Sequence, residues 1–490
     1  MSKVISVVKL KLHIDSDTRY VLDGQSRICN WLYNNLLERA NYLKQDFIAT
    51  QNAESCRTLY TKYGLRNVVP LLKKEHAFLN VVHSSPLKNT ALRLTQSIKS
   101  YQDSRKGRCK GKPRGWPRFR AWRNDWFSLL YDEPNKGFKV VGKDLQLSLG
   151  IGNASDSRKL IIPLQHSEAL KGKVIKNCQI SKTGTEYYAL FNIEQDVVSP
   201  KIVNRFIAFD PNHKNLLYGV DNTGNAIEVA GLDWLKNFDK RIDELKSKRD
   251  RCNKKAKLVE VLDYTGKPIG KQRWQPSKRW TRYDIALQKT YAKRREQIKT
   301  FCYTLANALC RKYDLISVGD YTPHGGGITT KMRRAMNNRS VIGNFKSILS
   351  WVAFKSGKSY MEYVESGTTR TCHNCKAIVS GGLSPNIRQW QCQACYMQHH
   401  RDENAAINGF YKTLTAIPDN AKHDNSIFAN LLATVPGSGP VISVDKRWAW
   451  SVSPRGVLST PRGQDRGITA SSRKLNRQCG NCLPIHDHAA

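Results

Sequence analysis

The chain has 490 residues, with 80 Lys and Arg against 40 Asp and Glu, a net charge of +40 at pH 7. Solubility asks for only about 2–8 charges on a small domain, so the excess points to a polyanionic partner, most simply nucleic acid bound over a long surface. A core is still affordable at 40% hydrophobic residues. No run of about 18 apolar residues marks a transmembrane helix, and Met1-Ser2-Lys3-Val4 lacks the apolar stretch of a secretory signal.

In chain order, Val8 to Ile14 alternates apolar and polar with period two and reads as a half-buried strand. Ile28, Leu32, Leu36, Ala40 and Leu43 then repeat at three to four residues, the face of a helix. Helical text continues to about residue 102. Residues 105–124 hold nine Lys and Arg and no acid before Asn124. Gly and Pro at 111, 113, 115 and 117 forbid a helix there. Trp116, Phe119 and Trp122 are interleaved as candidates for base stacking, with Phe119 the one expected to join a core instead. Arg114, Trp116, Arg118, Arg120 and Arg123 are the candidate nucleic-acid contacts. From 126 to about 197 short apolar runs alternate with turn residues, predicting strands. With the first strand they suggest a small β-barrel, 1–15 and 107–200, around a helical insert, 16–106.

A new unit begins near 201. Phe206-Ile207-Ala208-Phe209-Asp210 is an apolar strand ending in an acid. Two long basic helices follow, then the apolar strand Leu315 to Gly319, another basic helix at about 333–356, and a strand from Tyr360 to Glu365. Cys372-x2-Cys375 and Cys392-x2-Cys395, sixteen residues apart, supply four thiolates for one structural Zn2+. With other Cys scattered singly, they indicate a reducing compartment. Asp402 follows the cysteines directly. An acid at a strand end and another at a helix start suit Mg2+. Two-metal phosphodiester cleavage needs about three acids. Beyond 415 the text turns basic and rich in Ser, Gly and Pro. It reads as a disordered tail, 415–490, in which Cys479 and Cys482 lie near His486 and His488.

At these residues the chain resembles the TnpB proteins of insertion sequences, whose relatives include the miniature type V CRISPR effectors and Fanzor. Phe209-Asp210-Pro211-Asn212-His213-Lys214-Asn215 is similar to their first RuvC motif. The paired cysteines running into Arg401-Asp402-x-Asn404-Ala405-Ala406 resemble their zinc ribbon and third RuvC motif. Gly115-Trp116-Pro117-Arg118-Phe119-Arg120 resembles a segment of their β-barrel domain. The resemblance implies a multi-domain α/β plus β-barrel protein. It would have an RNase H-like RuvC nuclease domain at 201–370 and 397–414, a zinc ribbon insert at 371–396 and a helical recognition insert in the barrel. It implies an RNA-guided DNA endonuclease with guide RNA and double-stranded DNA as partners and no membrane, two catalytic Mg2+ and one structural Zn2+. The compartment would be the cytoplasm in a prokaryote, favoured by the modest size, or the nucleus in a eukaryote. In such loci the guide RNA overlaps the end of the reading frame, so a chain ending near 415 is expected to keep cleavage.

One position departs from the family. Its second RuvC motif usually ends a strand with Glu, and here Gly319 stands in that place. Three alternatives follow. Asp320 serves through a bulge, since neighbouring strand residues face opposite sides. Or Glu365, seven residues before Cys372, replaces it, as in Fanzor-like rearranged sites, with Glu362 facing the other way. Or the site has no third ligand, and the protein binds targets under guidance without cutting them. Nothing resembles a Tyr-nucleophile transposase.

Overall fold

The structure, a computed structural model, describes residues 3–462 except 110–112, 121–126, 152–157, 201, 213–214, 231, 233, 263–267, 321–340, 385–386, 418–441, 443 and 454–455. Cys479, Cys482, Trp122 and Arg123 lie outside the described residues. The chain divides into two compact units: 1–199, 233–299 and 354–357 in the first, and 200–232, 300–353 and 358–490 in the second.

The first unit opens with β1 (Lys3–Leu12) and a helical block of α1 (Ser16–Thr50), α2 (Ala53–Tyr60), α3 (Gly64–Glu75) and α4 (Ser84–Arg105). Asp15 caps α1 by accepting from the Thr18 N–H. Leu32, Leu36 and Ala40 are fully buried on one α1 face, with Ile28 and Leu43 packed beside them. Seven strands belong to this unit's β-region: β1, β2 (Ser128–Tyr131), β3 (Phe138–Val141), β4 (Asp144–Ser148), β5 (Lys159–Pro163), β6 (Val174–Thr183) and β7 (Glu186–Asp196). They form two sheets, β1-β7-β6-β2 and β3-β4-β5, joined by a single bridge from Leu12 to Leu164. Among the described residues no ladder pairs β3 with β2, so the hydrogen bonding is that of two linked sheets, where the sequence suggests a barrel.

The second unit is built on β8 (Phe206–Pro211), β9 (Leu217–Asp221) and β10 (Asn225–Val229), an antiparallel meander. α5 (Leu235–Arg251), the hairpin β11 (Lys257–Leu262) and β12 (Pro268–Gln275), and α6 (Lys278–Lys312) come next. Residues 233–299 group with the first unit rather than with the nuclease domain expected at 201–370. Ile242 and Leu245 of α5 close on Leu287 of α6 in a separate small core, tied by Arg249–Asp284 and Arg294–Asp239 ion pairs.

The chain returns to the sheet through β13 (Leu315–Gly319), α7 (Ile342–Lys355) and β14 (Ser359–Tyr363). β13 runs parallel to both β8 and β14. The hairpin β15 (Gln389–Gln391) and β16 (Gln398–His400) precedes α8 (Arg401–Ala416). Every residue of β8, β9 and β13 is buried, which is why they read as continuous apolar runs.

The expected disordered tail is corrected by two further strands, β17 (Lys446–Ser453) and β18 (Gly456–Arg462). β17 pairs parallel with β10, and β18 pairs antiparallel with β17. The sheet order is therefore β14-β13-β8-β9-β10-β17-β18. The missed signal is the period-two text Trp448, Trp450, Val452, obscured by neighbouring basic and turn residues. Without these strands β10 would present an unpaired edge.

Candidate active site and zinc ribbon

β8 is the inner strand between β13 and β9, and its apolar residues leave one acid, Asp210, buried near the strand's C-terminal end. Tyr218 is its cross-strand partner on β9. Asp402 is the second residue of α8 and is also buried. Ala405 and Ala406, fully buried, let α8 lie close against β8 and β9. Glu365 follows β14 and is half-buried.

The gap at Gly319 has a direct spatial counterpart. A methyl group built on Gly319 would run into Oε1 and Cγ of Glu365. The Glu365 side chain thus occupies the space a residue-319 side chain would enter. Asp320 sits underneath it differently, its Oδ1 accepting from the Glu365 backbone N–H at 3.1 Å. The Asp320 N–H in turn donates to the Tyr363 carbonyl at 2.9 Å. Lys346 donates to the carbonyls of Gly319 and Asp320 and pairs with Glu362, which is exposed. Tyr363 donates to the Phe209 carbonyl at 2.8 Å, and its ring fills the space beside Gly409 that any side chain would claim.

Asp210, Glu365 and Asp402 interact by charge. Burial raises the Asp210 carboxyl well above the usual range, and the negative charges of Glu365 and Asp402 raise it further. Arg401 and Arg388 oppose the shift. Arg388 Nη1 donates to both Asp402 oxygens at 2.9 Å. Three carboxylates drawn from β8, the end of β14 and α8 are hard oxygen donors, near enough for the charges of Glu365 and Asp402 to act on Asp210, and a divalent cation there would relieve that repulsion.

The four cysteines fit a metal more directly. Their sulfurs all lie within 4.8 Å of one another, with Cys372–Cys395 at 3.7 Å and Cys375–Cys392 at 3.5 Å. Zn–S bonds near 2.3 Å set tetrahedral S–S edges of about 3.8 Å. The two CxxC turns are built alike. Lys376 and Tyr396, each just after its second cysteine, have φ of 64° and 59°. Cys372 N–H donates to Ala377 O and Cys392 N–H to Met397 O, both at 2.9 Å. The Met397 N–H holds the Cys395 thiol down to about 6, while burial raises Cys372 to about 12. His399 Nε2 lies 3.0 Å from Cys372 Sγ, placed to donate to a thiolate there and fix its orientation.

The ribbon is bolted to α8 by two asparagines. Asn404 Oδ1 accepts from His373 N–H at 2.9 Å. Asn404 and Asn408 both donate to the carbonyls of Thr368 and Thr371. Sequence reading had not singled out Asn408; its four-residue spacing from Asn404 puts both on one helix face.

The basic segment divides into two kinds of residue. Arg114 and Arg118 are exposed. Trp116 is half-buried, its Nε1–H donating to Asn41 at 2.8 Å and its ring edge-on to Tyr101. Arg120 stacks 3.7 Å over Tyr33 and donates to Asn30. Trp116 and Arg120 are therefore spent on internal packing. Phe119, expected in a core, is 57% exposed. The Pro and Gly residues keep this stretch extended, so its aromatics alternate sides in an order opposite to that expected.

Among the described residues no helix is long and apolar enough to cross a membrane. The described chain is thus an α/β protein whose second unit pairs a mixed sheet, carrying three acids, with a four-cysteine zinc-ribbon-like insert. Residues 343–409 match the family model for the Cas12f1-like TNB domain. TnpB-like proteins of Acanthamoeba polyphaga mimivirus are 27% identical over 137 residues, 27% of this chain and 26% of theirs. The match therefore spans about a quarter of the curated relatives' length. Among solved structures, the chain is similar to Cas12f1 in a complex with sgRNA and target DNA, at 10% identity and a TM-score of 0.48 over 83% of this chain and 98% of that one. It is also similar to CasPhi-2 bound to crRNA, at 10% identity and a TM-score of 0.39, with the same coverage. By sequence, then, residues 343–409 are similar to the Cas12f1-like TNB domain and a stretch of 137 residues is similar to TnpB-like proteins.

Proposed function

We propose that this protein is an RNA-guided DNA endonuclease. The carrying observation is the convergence of Asp210, Glu365 and Asp402, with the Glu365 carboxylate standing where a side chain on Gly319 would be. The sheet supports it: an antiparallel β8-β9-β10 meander extended by parallel β13 and β14 is the strand arrangement of RNase H-like nucleases. The family match spans Glu365, all four cysteines and Asp402. The net charge of +40 suits a guide RNA and a DNA duplex held together.

In this reading Asp210, Glu365 and Asp402 would hold two Mg2+, which would supply an activated water and positive charge for the leaving oxygen. The protein's own part is positional. β8 fixes Asp210, Asp320 and Tyr363 fix the Glu365 backbone and its strand end, and Arg388 holds Asp402 in place. The four cysteines hold Zn2+, and through Asn404 and Asn408 the ribbon fixes the start of α8. Arg114 and Arg118 contact phosphate. The chain then acts wherever its nucleic acids are, in the cytoplasm of a prokaryote or a eukaryotic nucleus. Gly319 is the reason to consider a guided binder without nuclease activity, and the Glu365 carboxylate beside it favours the nuclease reading.

The test is cleavage of a plasmid library. The protein is coexpressed with its downstream flanking RNA, reprogrammed to a known target beside randomised flanks, in Mg2+. Depletion beside one short motif, abolished by Asp210→Ala while guided binding persists, is the expected result. Guide-dependent binding with no nicking in Mg2+ or Mn2+ would overturn the nuclease assignment.

A further inference from the structure

We propose that Arg447, on the C-terminal strand β17, is a positioning residue for Asp402, acting through Glu403 and the first turn of α8. The inference rests on the reading of Asp402 as a metal ligand. α8 starts after His400 with no side-chain cap, and an uncapped end frays unless something else holds it. The Arg401 N–H donates to the Arg388 carbonyl at 2.7 Å, and Asp402 and Asn404 are held by Arg388 and the ribbon. A further hold, from the C-terminal strand, is on Glu403, the neighbour of Asp402. Arg447 Nε and Nη2 each donate to one Glu403 oxygen at 3.0 Å, a two-pronged grip. Tyr218 donates its hydroxyl to the same carboxylate at 2.9 Å. Tyr218 is also the cross-strand partner of Asp210. One carboxylate therefore links β9, the strand beside that of Asp210, the helix of Asp402 and the C-terminal strand.

The grip is well seated. The Glu403 side chain is 13% exposed and Arg447 33%. Arg447 stands opposite Ala226 of β10 in the parallel ladder. The Asp445 N–H donates to Gly224, and Ile442 and Val444 pack against Tyr218, Ala406 and Ile407. The Ile442 N–H donates to the hydroxyl of Tyr411 on α8. The segment 442–462 thus braces α8 and the central strands together, and Arg447 is its charged contact next to the acid cluster. Removing a partner that orients a metal ligand typically costs 10–100-fold in metal affinity.

The experiment titrates Mn2+ into the zinc-loaded, RNA-free full chain and follows free Mn2+ by electron paramagnetic resonance. The variants are Arg447→Ala, Glu403→Gln, their double, and Tyr218→Phe, with Asp210→Ala as the blank. Melting temperature and zinc content serve as folding controls. Arg447→Ala and Glu403→Gln are each expected to weaken Mn2+ binding 10–100-fold. The double is expected to be no worse than the poorer single, because both break one link. Tyr218→Phe, which removes only a hydroxyl, should give a smaller loss and stands in if Arg447→Ala does not fold. Unchanged Mn2+ affinity in the folded variants, or fully additive losses in the double, would overturn the proposal. Failure of the nuclease reading shows separately: wild type would bind Mn2+ with the expected variant pattern yet never cut guided DNA.

Discussion

In the proposed site, Glu365 and Gly319 would define a metal ligand by a point in space. Gly319 has no side chain to offer, and its smallness makes room for another residue's carboxylate. Gly319→Ala is therefore expected to push Glu365 out of place and cut the cleavage rate by about 100-fold, as small misplacements at reacting centres do, with guided binding retained. Single-turnover rates beside target binding check this; a fully active Gly319→Ala would show that Glu365 is not a ligand. Asp210 carries a second consequence. Its raised carboxyl favours the protonated form in the cation-free fold, so the stability it contributes is present at low pH and lost as pH rises through its raised range. Without added divalent cation, Asp210→Asn should melt at a higher temperature than wild type, and the gap should widen as pH rises. Calorimetry at several pH values tests it. Asp210, Asp402 and the cysteines were legible because each stands in a motif with chemical meaning. The choice among Glu365, Asp320 and no ligand was not, because it depends on where a β14 strand end falls relative to β13.

At the scale of elements, the ribbon and α8 are one device. The four cysteines draw two matching turns together, and Asn404 and Asn408 tie those turns to the helix that bears Asp402. Cys372→Ser, or chelation, is expected to release one zinc per chain and speed amide exchange across residues 401–409 before it touches β8. Metal analysis with hydrogen exchange reads both, and protection that persists in a zinc-free chain would separate the two elements. The buried strands β8 and β13 were visible as apolar runs, and α1 as a periodic face, while β9 was not singled out. The sheets of the first unit were less so. Alternation predicts strands, while which strand pairs with which, and whether a ring closes, depends on lengths and long-range contacts. The basic segment misled for a related reason: composition marks it as suited to nucleic acid, but whether Trp116 or Phe119 turns inward is set by Asn41 and Tyr101, far away in sequence.

For the whole molecule, charge and topology make separate demands. Target binding should fall by 10³ or more between 50 and 200 mM salt if roughly six or more phosphates are contacted. Filter binding across that range tests it, and a flat response would remove the long electrostatic surface from the account. The C-terminal strands reverse the expectation for truncation. A chain ending near 415 loses β17 and β18, leaves β10 as an open edge, and strips the packing of the buried Trp450. Trp450→Ala alone is expected to cost about 3–5 kcal/mol, and the truncated chain to lose soluble yield and cleavage together. Supplying guide RNA separately to both chains makes the comparison.

That same pairing sets a schedule for synthesis. The last residue of β10 is Val229 and the first of its partner β17 is Lys446, a separation of 217 residues. At about 5–20 residues per second, the ribosome needs roughly 10–40 s to deliver the partner. Through that interval the nascent second unit carries an exposed strand edge, so any product that terminates early is left permanently with a surface primed to pair with another copy of itself.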